Sequence, residues 1–165
     1  MARQFGASLT QEDSDFSETV VDVNRVSKKT KGGNQIRFTS LVVVGDRKGK
    51  VGVGHAKAID VRGAIQKANS KAKASMVRVP LRGTTIPFDV TIKYKAAKIF
   101  LKPAPPGSGI IAGGTVRVVL ESVGIRDAVG KILGSNNKIT TVYATIEALK
   151  KLSRYDDSVR RRGKN

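Results

Sequence analysis

The chain has no cysteine, no tryptophan, one histidine, and only 5% aromatic residues among 165. Without thiols it can form neither disulfides nor thiolate metal sites, and it fits a reducing compartment. The single histidine, His55, cannot by itself build a catalytic triad or a histidine-rich metal site, so it reads as a strand-end residue facing solvent or RNA. Long apolar runs are missing too. Nothing approaches the ~18 consecutive apolar residues of a membrane span, and the opening residues, MARQFGASLTQEDSDF, hold no apolar signal core. Acidic side chains are scarce, 13 against 31 lysines and arginines. In the body of the chain they are Asp46, Asp60, Asp89, Glu121, Asp127 and Glu147, and their spacing gives no paired geometry for acid–base work. Asp60 suits a helix cap and Asp46 a turn, while Glu121 and Asp127 read as helix-surface charges. No catalytic residue, no metal and no cofactor is expected.

What the chain has in excess is positive charge, net +18, and the excess is uneven. Residues 1–24 carry net −4, residues 25–82 net +13 from fifteen basic and two acidic side chains, residues 83–152 net +6, and residues 153–165 net +3. A generally basic surface would spread its charge; +13 within 58 residues points to a polyanionic partner such as nucleic acid.

The pattern along the chain predicts two small α+β domains between tails. Residues 1–17 read as a mobile acidic tail. In the first domain, 18–82, Val20, Val21, Val23 and Val26 mark a strand, Lys28 to Asn34 a loop, and Ile36 to Val44 a second strand. A turn over Gly45–Gly49 leads to a third strand at Val51-Gly52-Val53-Gly54, whose alternating glycines leave one face bare and imply close approach by another backbone. Asp60 caps a helix with Val61, Ala64, Ile65, Ala68, Ala72 and Met76 on its apolar stripe. Arg78 to Gly83 reads as a linker, so the first domain is β-β-β-α. The second domain, 83–152, opens with a hairpin of Ile86–Tyr94 and Lys98–Lys102. A short helix follows, capped by Thr115 and ended by Gly124; then comes Ile125–Leu133, strand or helix by pattern, and a last helix capped by Thr140 or Thr141. Residues 153–165 return to a basic tail.

Two glycine-rich basic turns are the strongest site candidates. One holds Lys28, Lys29 and Lys31 with Gly32 and Gly33; the other holds Arg47, Lys48 and Lys50 with Gly45 and Gly49. Glycine lets a backbone come close to a ligand, and the cations suit phosphates. Arg25, Arg37, Lys57, Lys67 and Lys71 extend the same face, with His55 beside them. Contacts of this kind position a protein on nucleic acid and make binding salt-sensitive. Phe38, a lone aromatic in an apolar strand, reads as core. The run Pro103 to Thr115, PAPPGSGIIAGGT, enters a helix N-terminus, where anions bind well. It lacks the lysine of a Walker loop, since Gly114 stands in its place. A tight structural loop and a backbone–phosphate contact both stay open there.

Several stretches together resemble the bacterial-type small-subunit ribosomal protein five family: VNRVSKKTKGG (23–33), LVVVGDRKGKVGVG (41–54), AIQKA (64–68), GIIAGGTVRVVLESVGI (109–125), GSNN (134–137) and ATIEAL (144–149). The likeness runs from about Val20 to Leu152. It implies a double-stranded-RNA-binding-like first domain and an α/β second domain with a βαβ crossover. It also implies binding to 16S-type ribosomal RNA, neighbouring ribosomal proteins four and eight, and a place beside protein three where messenger RNA enters. A contribution to translational accuracy comes with it, as does residence on ribosomes of the cytoplasm, or of an organelle if encoded there. The family loop matching Ser27 to Gly33 lies near the site of spectinomycin action. Three positions depart from the family pattern: Ala56 for glycine, Arg62 for proline before the first long helix, and Lys138 for proline after GSNN. Two other classes compete: a nucleotide-dependent small-molecule kinase, suggested by the proline–glycine loop, and a free RNA- or DNA-binding regulator.

Overall fold

The computed structural model describes residues 16–163. The acidic tail expected over 1–17 lies almost wholly outside them.

The first unit is a four-stranded antiparallel sheet in the order β1-β2-β3-β4, with β1 at Ser17–Thr30, β2 at Gly33–Gly45, β3 at Lys50–Ala58 and β4 at Val77–Arg78. The helix α1, Val61–Ala74, follows β3. Asp60 is its N-cap as expected, accepting from the Gly63 N–H at 3.1 Å. Of the expected stripe, Ala64, Ala68 and Ala72 are fully buried. Ala68 and Ala72 pack against Val42, Val44 and Ala56. The bare strand face exists for the reason its glycines suggest. A β-carbon at Gly52 or Gly54 would overlap the carbonyl oxygens of Ala72 and Ala68 on α1, so the helix backbone lies directly on β3.

Two expectations for this unit are corrected. The loop at 28–34 is a hairpin: β1 and β2 stay paired out to Thr30↔Gly33, and Lys31-Gly32 alone form the turn. Gly33, just after the turn, has φ 122°, an angle that glycine takes without strain. The segment read as a linker starts with a fourth strand, because Val77 and Arg78 pair with Val51 and Lys50.

The second unit is a mixed sheet in the order β5-β6-β8-β7. Its strands are β5 at Val90–Tyr94, β6 at Ala97–Pro103, β7 at Ile110–Ile111 and β8 at Ala128–Ile132. The helix α2, Gly114–Val123, connects β7 to β8, which run parallel. That connection is the implied βαβ crossover, and it settles Ile125–Leu133 as containing a strand. Residue 113, not Thr115, is the N-cap of α2, without a side-chain bond, while Gly124 ends the helix in the left-handed region as expected, φ 98°. The last helix, α3, spans Lys138–Arg162. Its start belongs to Asn137, whose side chain accepts from the Ile139 N–H at 3.0 Å. Neither Thr140 nor Thr141 caps it, and Thr141 is buried inside. The helix also runs on through most of the segment read as a basic tail.

The two units share one core. Alternate residues of the first sheet, Leu41, Val43, Val51 and Val53, point away from α1 and join a cluster with Val119, Leu120 and Val123 of α2 and Leu149 and Leu152 of α3. The first sheet is therefore covered on both faces, by its own helix and by the second unit.

A candidate nucleic-acid interface

Strand β3 pairs with β2 only from Phe38 to Gly45. Beyond Phe38 the β1–β2 ribbon continues alone to its tip. From Arg37 to Gly33 that is about 14 Å at ~3.4 Å per residue. Every residue from Ser27 to Ile36 is exposed. An isolated two-stranded ribbon is marginal in water, so this arm suits a partner that holds it. Its cations lie on both sides: Lys28 pairs with Gln35, Lys29 with Asn34, and neighbouring positions of a strand face opposite ways. Arg25, opposite Phe38, stands exposed at the base. Among the described residues no carboxylate pairs with Lys28, Lys29 or Lys31. At the tip, a β-carbon on Gly32 or Gly33 would meet nothing within 4 Å. The space over Lys31–Gly33 is open to an incoming group.

A second group gathers where β3 runs into α1. Arg37, Lys57 and Lys67 line an open cleft of about 580 Å³ with Gln66 and Ser70. The Arg37 Nε is buried and has no hydrogen-bond acceptor, a donor that a phosphate oxygen would satisfy. Asp60 and Gly63, at the α1 N-terminus, share the cleft. Further along, Lys71 donates from Nζ to the His55 carbonyl at 3.3 Å. His55 pairs with Leu41 and so faces away from α1, half-buried.

The other basic turn lies elsewhere. Gly33 and Gly45 are opposite ends of β2, about 40 Å apart along the strand, so the two turns do not form one grip. The backbone of the Gly45–Lys50 turn is already engaged by the second unit. The Arg47 N–H donates to the Ser122 carbonyl at 3.1 Å and the Gly49 N–H to the Val123 carbonyl at 2.9 Å. These satisfy carbonyls at the C-terminus of α2. The Asp46 carboxylate closes the turn, accepting from the Lys48 and Lys50 N–H groups at 2.7 and 2.8 Å. Here glycine serves close approach between domains. The side chains of Arg47, Lys48 and Lys50 are nonetheless exposed, and Arg47 with Arg126 borders a polar hollow of about 400 Å³.

The proline–glycine loop is occupied from within. Asp127, read as a helix-surface charge, is 4% exposed and lies just before β8. Its Oδ1 accepts from the Gly107 and Gly109 N–H groups, each at 3.0 Å. A hydrogen bond from Thr84, with these amides, holds the carboxyl below the usual aspartate range against its burial. A carboxylate sits where a nucleotide phosphate would have to bind, so the kinase reading loses its loop. Among the described residues no group of three or more histidines and carboxylates is placed to hold a metal, and no helix is long and apolar enough to cross a membrane.

Comparison with known proteins covers nearly all of this structure. Residues 16–80 match the family "Ribosomal protein S5, N-terminal domain" and residues 92–162 match "Ribosomal protein S5, C-terminal domain". The chain is 46% identical over 151 residues to the small ribosomal subunit protein uS5 of Protochlamydia amoebophila, covering 92% of this chain and 90% of that protein. It is 52% identical over 135 residues to the protein of the same name from Campylobacter jejuni, covering 82% and 92%.

Proposed function

The chain belongs to the ribosomal protein S5 family, and from that premise we propose that the β1–β2 arm fastens it to 16S-type ribosomal RNA. The family makes it a structural, non-catalytic part of the small ribosomal subunit. The observation that carries the RNA-binding reading is the arm: lysines on both sides, no carboxylate partner among the described residues, and open space over the tip backbone. Such an arm fits between RNA segments, with phosphates on either side and the Lys31–Gly33 backbone against a third group. The Arg37–Lys57–Lys67 cleft takes a further phosphate beside the arm.

On the same premise the protein contributes to translational accuracy and sits near the channel through which messenger RNA enters. The family resemblance supports proteins four and eight as neighbours, and protein three at that channel. The bacterial relatives favour a cytoplasmic ribosome over an organellar one.

The test is co-sedimentation with small subunits in high salt, combined with a salt titration of RNA binding. Replacing Lys28, Lys29 and Lys31 with alanine is expected to lower the salt slope by up to ~3, about one unit per lost phosphate contact. An unchanged slope, or a protein that washes off the subunit at moderate salt, would overturn this reading.

A further inference from the structure

The second sheet has one face turned to the core and one turned outward. Val90, Ile99 and Leu101 are buried, and Gly130, opposite Leu101, lies against Leu101, Ala112 and Val116. By alternation, the outward positions are Thr91 and Lys93 on β5, Lys98, Phe100 and Lys102 on β6, and Val129 and Lys131 on β8. All four lysines are exposed and Phe100 is half-buried among them. At the sheet edge Ile111, beside Val129, is 60% exposed. Neither α2 nor α3 covers this face.

Its charges are arranged against the protein's own stability. Lys93 stands directly opposite Lys98, and Lys131 directly opposite Phe100. Like charges across a strand pair repel. Among the described residues no carboxylate pairs with any of the four lysines, and Asp89 precedes β5 rather than lying in it. Four unpaired cations around an aromatic ring on an open sheet match the two needs of an unpaired nucleic-acid strand: charge for the backbone and a flat surface for a base. An acidic protein surface would need the lysines but not the ring.

We propose that this outward face is a second RNA site, which holds an unpaired stretch of RNA with phosphates on Lys93, Lys98, Lys102 and Lys131 and a base on Phe100. The site rests on the RNA-binding reading above, yet it lies in the other domain from the arm and is separable from it. Two variants of the full chain test it, each checked for a thermal melt no lower than that of the parent chain; relief of the Lys93–Lys98 repulsion is expected to raise it in the first. Changing all four lysines to glutamine is expected to lower the salt slope for poly(U) by up to about 3, at ~0.7 per contact to a single strand. Phe100→Leu is expected to weaken poly(U) binding about tenfold while leaving the slope alone. Unchanged poly(U) binding by both variants would overturn the site. So would equal losses on poly(U) and on a blunt RNA duplex with no effect of Phe100→Leu, which mark plain charge. Photo-crosslinking from position 100 in reconstituted subunits should reach RNA; a crosslink to protein alone assigns the face to a protein neighbour and overturns the proposal. The Lys28/Lys29/Lys31 alanine variant, run in parallel, reports separately on the arm.

Discussion

Gly124 of α2 lies against the carbonyl of Arg47 so closely that a β-carbon at 124 would overlap its oxygen. Gly45 meets the Ser122 carbonyl from the other side in the same way. Between them run the Arg47–Ser122 and Gly49–Val123 backbone hydrogen bonds. The junction of the domains is thus built from backbone against backbone. Gly124→Ala carries the extra strain of φ 98°. Either Gly45→Ala or Gly124→Ala is expected to cost about 2–3 kcal/mol in urea unfolding, whereas Gly107→Ala, which meets open space, should cost less through its positive φ alone.

A second tie across the junction is electrostatic. Lys138, where the family pattern has proline, places Nζ 2.8 Å from the Asp22 carboxylate, with 53% and 20% of the two side chains exposed. The hydrogen bond from Lys138 is the main cause of a lowered Asp22 pKa. A lowered carboxylate pKa adds stability that is present above the unfolded value, 3.8, and is lost as pH falls through the folded value. For so exposed a pair the contribution is about 0.2–1 kcal/mol. Lys138→Pro should remove it and flatten the salt dependence of the melting temperature.

Asp127 gives a sharper acid response, because its partners are backbone N–H groups of a loop. Its carboxyl is also held below the ordinary 3.8, first by Thr84. The amides of Gly107 and Gly109 are expected to be protected from hydrogen exchange at neutral pH and to lose protection when Asp127 protonates, below that value. Asp127→Ala, which removes the acceptor, should bring the same loss at neutral pH. Protection unchanged in the variant would show that the loop is held by other contacts.

The two arm glycines should respond differently. Gly33 needs its φ of 122°, so Gly33→Val strains the turn and shifts the cross-strand signals of Thr30 and Asn34 in NMR spectra. Gly32 has no positive φ and nothing within 4 Å of a β-carbon. Gly32→Val is expected to leave the fold alone and weaken RNA binding only if the backbone itself touches RNA. Changed decoding accuracy or spectinomycin response in subunits carrying Gly32→Val would tie that contact to the proposed role.

Much of this was legible in the sequence because it depends on local spacing. The Ala64, Ala68 and Ala72 part of the α1 stripe, the Asp60 cap, the Gly124 stop and the bare glycine face of β3 are all short-range signals, although Val61 is exposed and Met76 falls past the helix end. Local signals misled at the 28–34 hairpin and at the caps of α2 and α3, each by a few residues; the larger errors arise where distant segments meet. Nothing near Lys48 shows that the turn's N–H groups are taken by α2, and nothing near Asp127 shows a loop eighteen residues upstream folding onto it. The basic cluster also had to be divided, since counting charge along a strand ignores that its two ends lie far apart. The lysines of β5, β6 and β8 alternate with core residues in plain view, but with one or two per strand they form no run. Only the pairing of three strands brings them together.

The core common to both domains bears on how the chain is made. As synthesis proceeds, the first sheet and α1 leave the ribosome before α2 and α3 exist. For that interval Leu41, Val43, Val51 and Val53 have no cover on their outer side. The nascent first half is therefore expected to be aggregation-prone until α2 and α3 follow. A truncation ending before α2 should accumulate as aggregate rather than as a smaller soluble RNA-binding module.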